Sequence, residues 1–132
     1  MKKPILMTAL VGISIVCFAF APDKKAWNAP DKDAKTASKV PTSAESVAAG
    51  KALYAKHCQS CHGKAGLGDG TKAAQLKTEP GDFSVAAFQS QSDGSIFYKV
   101  SEGRDDMPSF KKKITDPNDI WNIVNFVRTL KK

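Results

Sequence analysis

The chain predicts an all-α fold of about three main helices plus short helical turns. Three observations lead there: apolar residues recur at helical spacing, the segments that carry them open with helix start signals, and no convincing strand pattern or internal repeat is present. The first helix follows Thr42 and Glu45, which have the spacing of a capping box, and returns Val47, Gly50 and Leu53 or Tyr54 to one face. Gly50 in its middle costs about 1 kcal/mol of helix propensity against Ala. Such a glycine predicts another segment packed close against it. A second helix is expected over Asp93–Glu102, capped by Ser92 and closed by Gly103. The last begins with Asp116 as N-cap and Pro117 at the first helical position, and its apolar face is Ile120, Trp121, Val124, Val127 and Leu130. Shorter helical turns are expected near 71–76 and 83–88.

The first of these helices runs into Cys58-Gln59-Ser60-Cys61-His62. Two thiols three positions apart with a histidine immediately after are the attachment pattern of a c-type haem. Each thiol adds to one vinyl group to give a thioether, and the histidine presents a ring nitrogen to the iron as proximal ligand. A structural zinc would need about four Cys or His ligands, and beyond this cluster the chain has only His57 and Cys17. A redox disulfide of the thioredoxin kind wants a βαβ pattern nearby, and no strand run precedes Cys58.

The second axial ligand follows from composition. Of the three methionines, Met1 and Met7 lie in an N-terminal apolar stretch, which leaves Met107. Pro108 restricts Met107 to an extended backbone and makes a stiff arm for the thioether. The rival is His57, but a residue adjacent to Cys58 is tethered on the proximal side, and it is expected as the exposed end of a helix. An iron held by both His62 and Met107 has no open position for a substrate, which suits electron transfer and no enzyme activity.

Taken together, these residues resemble class I cytochromes c, in particular small bacterial monohaem ones, over about 45–132. The resemblance rests on Gly50 and Tyr54 before the haem motif, the glycine-rich run 62–70 after it, Pro80-Gly81-Asp82-Phe83, Met107-Pro108, and the last helix from Ile120 to Arg128. It implies a cytochrome c fold around one covalently bound haem c, and a final helix that crosses the first near Gly50 with Phe126 at the contact. It also implies that the Pro80 carbonyl accepts the second N–H of the His62 imidazole, which orients the ring and raises its basicity. The run 62–70 lacks the endings of phosphate and dinucleotide loops and reads as a tight turn over the haem edge. Small domains of this size often need a staple, and the haem is expected to complete the core.

The remaining segments organise the chain. Lys2 and Lys3 precede an uncharged apolar stretch to Ala21, so 1–21 reads as a signal peptide or N-terminal anchor. Cleavage after Ala19 or Ala21 and a poor lipobox at Cys17 are the processing alternatives. Residues 22–44 read as a flexible linker, with Trp27 given no role. The expected location is the periplasm, either soluble or tethered to the membrane through the N-terminus.

The net charge of +7 falls to +3 over 45–132, with 13 basic and 10 acidic residues, so nucleic-acid binding is not indicated. Lys111-Lys112-Lys113 near the methionine loop could frame the haem edge and steer an acidic redox partner. The expected function is thus a monomeric one-electron carrier serving redox partner proteins. The alternatives are a haem subunit fixed in a respiratory or dehydrogenase complex, or a ligand-binding sensor or peroxidase.

Overall fold

The fold comes from a computed structural model, which describes residues 26–132; the leader over 1–21 and Cys17 lie outside them. Six α-helices follow in order: α1 (Asp31–Ala34), α2 (Ala44–His57), α3 (Gln59–His62), α4 (Ala86–Gln89), α5 (Asp93–Glu102) and α6 (Pro117–Arg128). A single 3-10 turn at Ala73–Gln75 lies between α3 and α4, and no strand occurs among the described residues. The three long helices are those expected: α5 starts and ends where Ser92 and Gly103 placed it, and α6 starts at the Asp116 cap but ends at Arg128, before Leu130 of its expected apolar face. Of the two short turns, Ala73–Gln75 falls within the range read as 71–76, and Ala86–Gln89 overlaps the range read as 83–88 and runs one residue past it.

The capping box of α2 differs from the Thr42/Glu45 pair. Ser43 is the N-cap: its hydroxyl accepts from the Ser46 amide at 3.1 Å, and the Ser46 hydroxyl accepts from the Ser43 amide at 2.9 Å. Thr42 is taken by a tertiary contact instead, donating to Asn125 Oδ1 at 3.2 Å. A buried amide offers more than a local turn can, so the cap moves one residue along.

The core is organised by the crossing of α2 and α6. A Cβ on Gly50 would overlap the backbone carbonyl of Asn122, so the two helices meet at backbone distance there. Around the crossing pack Tyr54, Ile123, Phe126 and Val127, with the Tyr54 and Phe126 rings 5.1 Å apart between centroids. A second cluster of Ile96, Trp121 and Val124 joins α5 to α6, and Phe97 stacks on Trp121 at 4.2 Å. Arg128 at the end of α6 secures the start of α5, its Nε donating to Asp93 Oδ1 at 2.7 Å and its Nη1 to the Gln89 carbonyl at 2.8 Å.

Over its described part, the segment read as a flexible linker lies against the domain as a strap. Ser92 Oγ donates to the Ala34 carbonyl at 2.6 Å, and a Cβ on Gly94 would overlap the Asp33 carbonyl. Val40 packs on the Ile96 cluster. Asn125, 3% exposed, donates to the carbonyls of Val40 and Pro41 and to Ser46 Oγ, at 3.3, 3.4 and 3.1 Å. Composition concealed the strap because its attachment is mostly through backbone carbonyls, which every residue type provides.

Gly50→Ala tests the crossing. Helix propensity alone would favour Ala by about 1 kcal/mol, but backbone overlap is expected to win and lower stability by about 1–3 kcal/mol. Denaturant unfolding of the haem-loaded protein measures the difference.

Candidate haem site

The attachment motif begins where α2 ends. Cys58 is the C-cap of α2 and the N-cap of α3, so the chain turns at that residue and α3 holds Cys61 and His62 in a single helical turn. The loop after His62 folds back over this turn. Gly68 N donates to the His62 carbonyl at 2.9 Å, Gly70 N to Cys61 at 3.2 Å and Lys72 N to Ser60 at 2.8 Å, so the helix-end carbonyls are satisfied by loop amides. Gly63 closes α3 at φ 78°, a left-handed conformation that suits glycine. The buried Tyr54 hydroxyl donates to the Gly63 carbonyl at 2.8 Å, locking the far end of the motif to α2. Burial holds the Tyr54 phenol protonated, far above the ordinary tyrosine range.

Beside this turn lies a cavity of about 520 Å³, lined by Cys58, Cys61, His62, Pro80 and Met107 together with apolar walls from Val100, Phe110, Ile123 and Val127. All five residues named from the sequence as haem-binding therefore face one space. Phe83 stands over the His62 ring with centroids 4.5 Å apart, and Phe88 stacks on Phe83 at 4.4 Å. His57, set aside as a rival ligand, also lines the cavity; it is half-buried rather than an exposed helix end, its ring edge-on to Phe110 at 6.0 Å.

Met107 arrives on a tight turn. Arg104 and Met107 exchange backbone hydrogen bonds of 2.8 and 2.9 Å, with Asp105 between them at φ 52°. The turn is fastened to the Pro80 loop by Asp106, whose Oδ2 accepts from the amides of Lys77 and Thr78 at 2.8 and 2.9 Å. One carboxylate thus joins the backbones that carry Met107 and Pro80. Asp106 had no signal in the sequence, because its partners lie almost thirty positions away. Tyr54 was legible as a helix residue one turn before Cys58 and as part of the family resemblance, but its hydroxyl bond to Gly63 was not.

The chemistry of the donors fits haem c. Burial pushes the His62 imidazole down to about 4, with the Pro80 backbone pulling the other way, so the ring is neutral at physiological pH and has a lone pair to give. Its Nδ1 is buried without a completed hydrogen bond. Burial also pushes the Cys58 thiol up to about 12, with the neighbouring Cys61 adding to the shift. Both cysteines are free, and no three His, Cys, Asp or Glu side chains among the described residues converge on a metal site. The volume is within the range of about 300–1,000 Å³ common for bound small molecules and cofactors.

Fold and cavity together define a c-type cytochrome, the class of proteins that carries electrons on covalently attached haem c. Residues 45–127 match the family described as cytochrome C oxidase, cbb3-type, subunit III, and the chain belongs to that family. Among solved structures, it is similar to a chain of the Kuenenia stuttgartiensis reducing HAO-like protein complex, with 26% identity and a TM-score of 0.65 over 70% of this chain and 47% of that one. It is similar as well to the KustC0563 c-type cytochrome, at 35% identity and TM-score 0.54, covering 63% of this chain and 98% of that one. Cytochrome CL from the marine methylotroph Methylophaga aminisulfidivorans shares the fold at 22% identity and TM-score 0.54, over 68% of this chain and 56% of its own. The chain therefore spans about half the length of the first and third of these. No curated protein sequence matches it. Among the described residues, no helix is long and apolar enough to cross a membrane.

Proposed function

We propose that the domain carries one electron at a time on a haem c joined to Cys58 and Cys61, with His62 and Met107 as axial ligands. The observation behind this reading is the cavity that brings the motif turn and the only methionine outside the leader to one space. Haem c, when bound, supplies an iron that cycles between Fe(III) and Fe(II).

The chain's own residues set how that couple behaves. His62 gives a neutral imidazole, and Pro80 is placed to take its second N–H and fix the ring plane. The soft Met107 sulfur favours the reduced metal, and the walls from Val100, Phe110, Ile123 and Val127 keep water away from the extra positive charge of the oxidised form. Both effects raise the potential. With the Met107 turn tied through Asp106 to the Pro80 loop, the two ligands change little between oxidation states, and no bond to a substrate is made.

Electrons then pass through an exposed edge to a protein partner. Of Lys111, Lys112 and Lys113, only Lys113 lines the cavity; Lys111 pairs with Glu102 at 2.7 Å. Lys56 and Lys72 stand on the same lining. These three cations, rather than the lysine run, form the frame that would steer an acidic partner. The likeness to a chain of a redox complex and to the oxidase subunit family supports a second reading, in which the domain is a fixed subunit using the same chemistry. In either case it works outside the cytoplasmic membrane, in the periplasm, with 1–21 as the signal peptide or anchor that takes it there.

Two outcomes test this reading. Met107→Ala is expected to lower the midpoint potential and let carbon monoxide bind the reduced protein; an unaltered spectrum and potential would remove Met107 from the iron. The Lys56, Lys72 and Lys113 to Gln triple variant is expected to flatten the dependence of electron-transfer rate on ionic strength. An unchanged slope would place the docking surface elsewhere.

A further inference from the structure

An axial imidazole can turn about its bond to a metal, and the groups packed behind it decide the plane it keeps. Behind His62 such restraints come from two directions. The Pro80 backbone acts on the rim of the ring, yet His62 Nδ1 is buried without a completed hydrogen bond. A contact at one rim atom also leaves a ring able to rock about the line through that atom. A flat wall against the ring face prevents rocking, and Phe83 provides one.

The Phe83 ring lies over the His62 ring with centroids 4.5 Å apart and planes 32° from parallel, and Phe88 stacks on Phe83 at 4.4 Å and 25°. The rings form a row with the imidazole at its inner end, at spacings near the short end of the range for aromatic pairs. The backbone of Phe83 is held on both sides. Its N–H donates to the Gly66 carbonyl at 2.7 Å, in the loop that folds back over the motif turn. Its carbonyl accepts from Gln89 Nε2 at 2.8 Å. The same Nε2 donates to the Val127 carbonyl at 3.1 Å, and Gln89 Oε1 accepts from Arg128 Nη1 at 3.3 Å, so the anchor runs into α6. A Cβ on Gly66 would come within 3.0 Å of Phe83 Cδ2, so that glycine, at φ 71°, leaves the space the Phe83 ring occupies. Phe83 is half-buried, and packing alone does not call for a backbone pinned in this way.

We propose that Phe83, backed by Phe88, is a positioning residue that fixes the plane of the His62 imidazole. The inference rests on the haem c reading above and extends it to aromatic residues to which that reading gives no part. Pro80 directs the ring from its rim and Phe83 from its face, and neither group changes charge with the iron, so both restraints persist through each electron transfer. The plane matters because an imidazole donates π density to the metal, and its direction selects the d orbital that holds the unpaired electron of low-spin Fe(III). A ring held still keeps that orbital the same at every oxidation.

The test is the proton NMR spectrum of the full haem-loaded protein in its oxidised state, in which the haem-methyl resonances spread in an order set by the planes of the axial ligands. Compared are wild type, Phe83→Leu, Phe88→Leu, Phe83→Tyr and, as a surface control, Val85→Ala; Val85 is 44% exposed. Phe83→Leu loses the face contact, and its methyl resonances are expected to change order or draw together as the ring rocks. Phe88→Leu removes the backing and leaves Phe83 in place; it moves the resonances in the same direction by less, and it decides the matter if Phe83→Leu takes up no haem. Phe83→Tyr keeps the ring face and with it the wild-type order, and Val85→Ala leaves that order unchanged. The optical spectrum of each sample separates the two levels of inference: extractable haem or missing methionine ligation in the wild type defeats the haem c reading. Intact optical spectra with a wild-type methyl pattern in the leucine variants overturn the positioning role and leave Phe83 as a packing residue, and so does an equal shift in Val85→Ala.

Discussion

The contact between Gly50 and the backbone of Asn122 is the constraint on which the other features depend. At any larger side chain the two helices would stand further apart, and α2 could not deliver Cys58 beside the wall that α6 builds with Ile123 and Val127. The crossing also sets Tyr54 against Phe126 and aims its hydroxyl at Gly63, so packing energy between two helices becomes positional accuracy in the motif turn. Specific sites need this kind of support, because a ligand geometry left to a loop would be loose by an ångström or more.

The core is incomplete without its cofactor. Val100, Phe110, Ile123 and Val127 are counted among the most buried residues of the chain, yet they also line the cavity. An apolar prosthetic group filling that space extends the core as well as performing the chemistry. Its two walls come from distant parts of the sequence, and Asp106, on the amides of Lys77 and Thr78, connects them. The strap adds a third side. Asn125 on α6 holds Val40, Pro41, Thr42 and Ser46 at once, so the residue that secures the strap also steadies the start of α2.

Much of this was legible from residue order, for physical reasons. Ser92 with Gly103, and Asp116 with Pro117, are local signals whose partners lie close in sequence; the first pair bounds α5 and the second opens α6. The haem motif is local too, since the spacing of Cys58, Cys61 and His62 is set by the cofactor itself. What escaped was long-range and made of backbone. Thr42 looked like a cap because Asn125, its tertiary partner, cannot be seen from its neighbours. The strap looked like a linker because carbonyls of Asp33, Ala34 and Val40 do its packing, and composition carries no trace of them. Lys111 to Lys113 drew attention as a run, whereas only Lys113 of it lines the cavity and the other cations there are scattered singly through the chain.

The central claim is that this cavity holds one haem, fixed by Cys58 and Cys61 and ligated by His62 and Met107. The most direct measurement is the optical spectrum of the purified, exported protein in both redox states, taken before and after acid-acetone extraction. The account requires haem that stays with the protein, sharp low-spin bands on reduction and the weak red band of methionine-ligated Fe(III). Haem that leaves with the solvent, or a high-spin spectrum that takes up carbon monoxide readily, would contradict it.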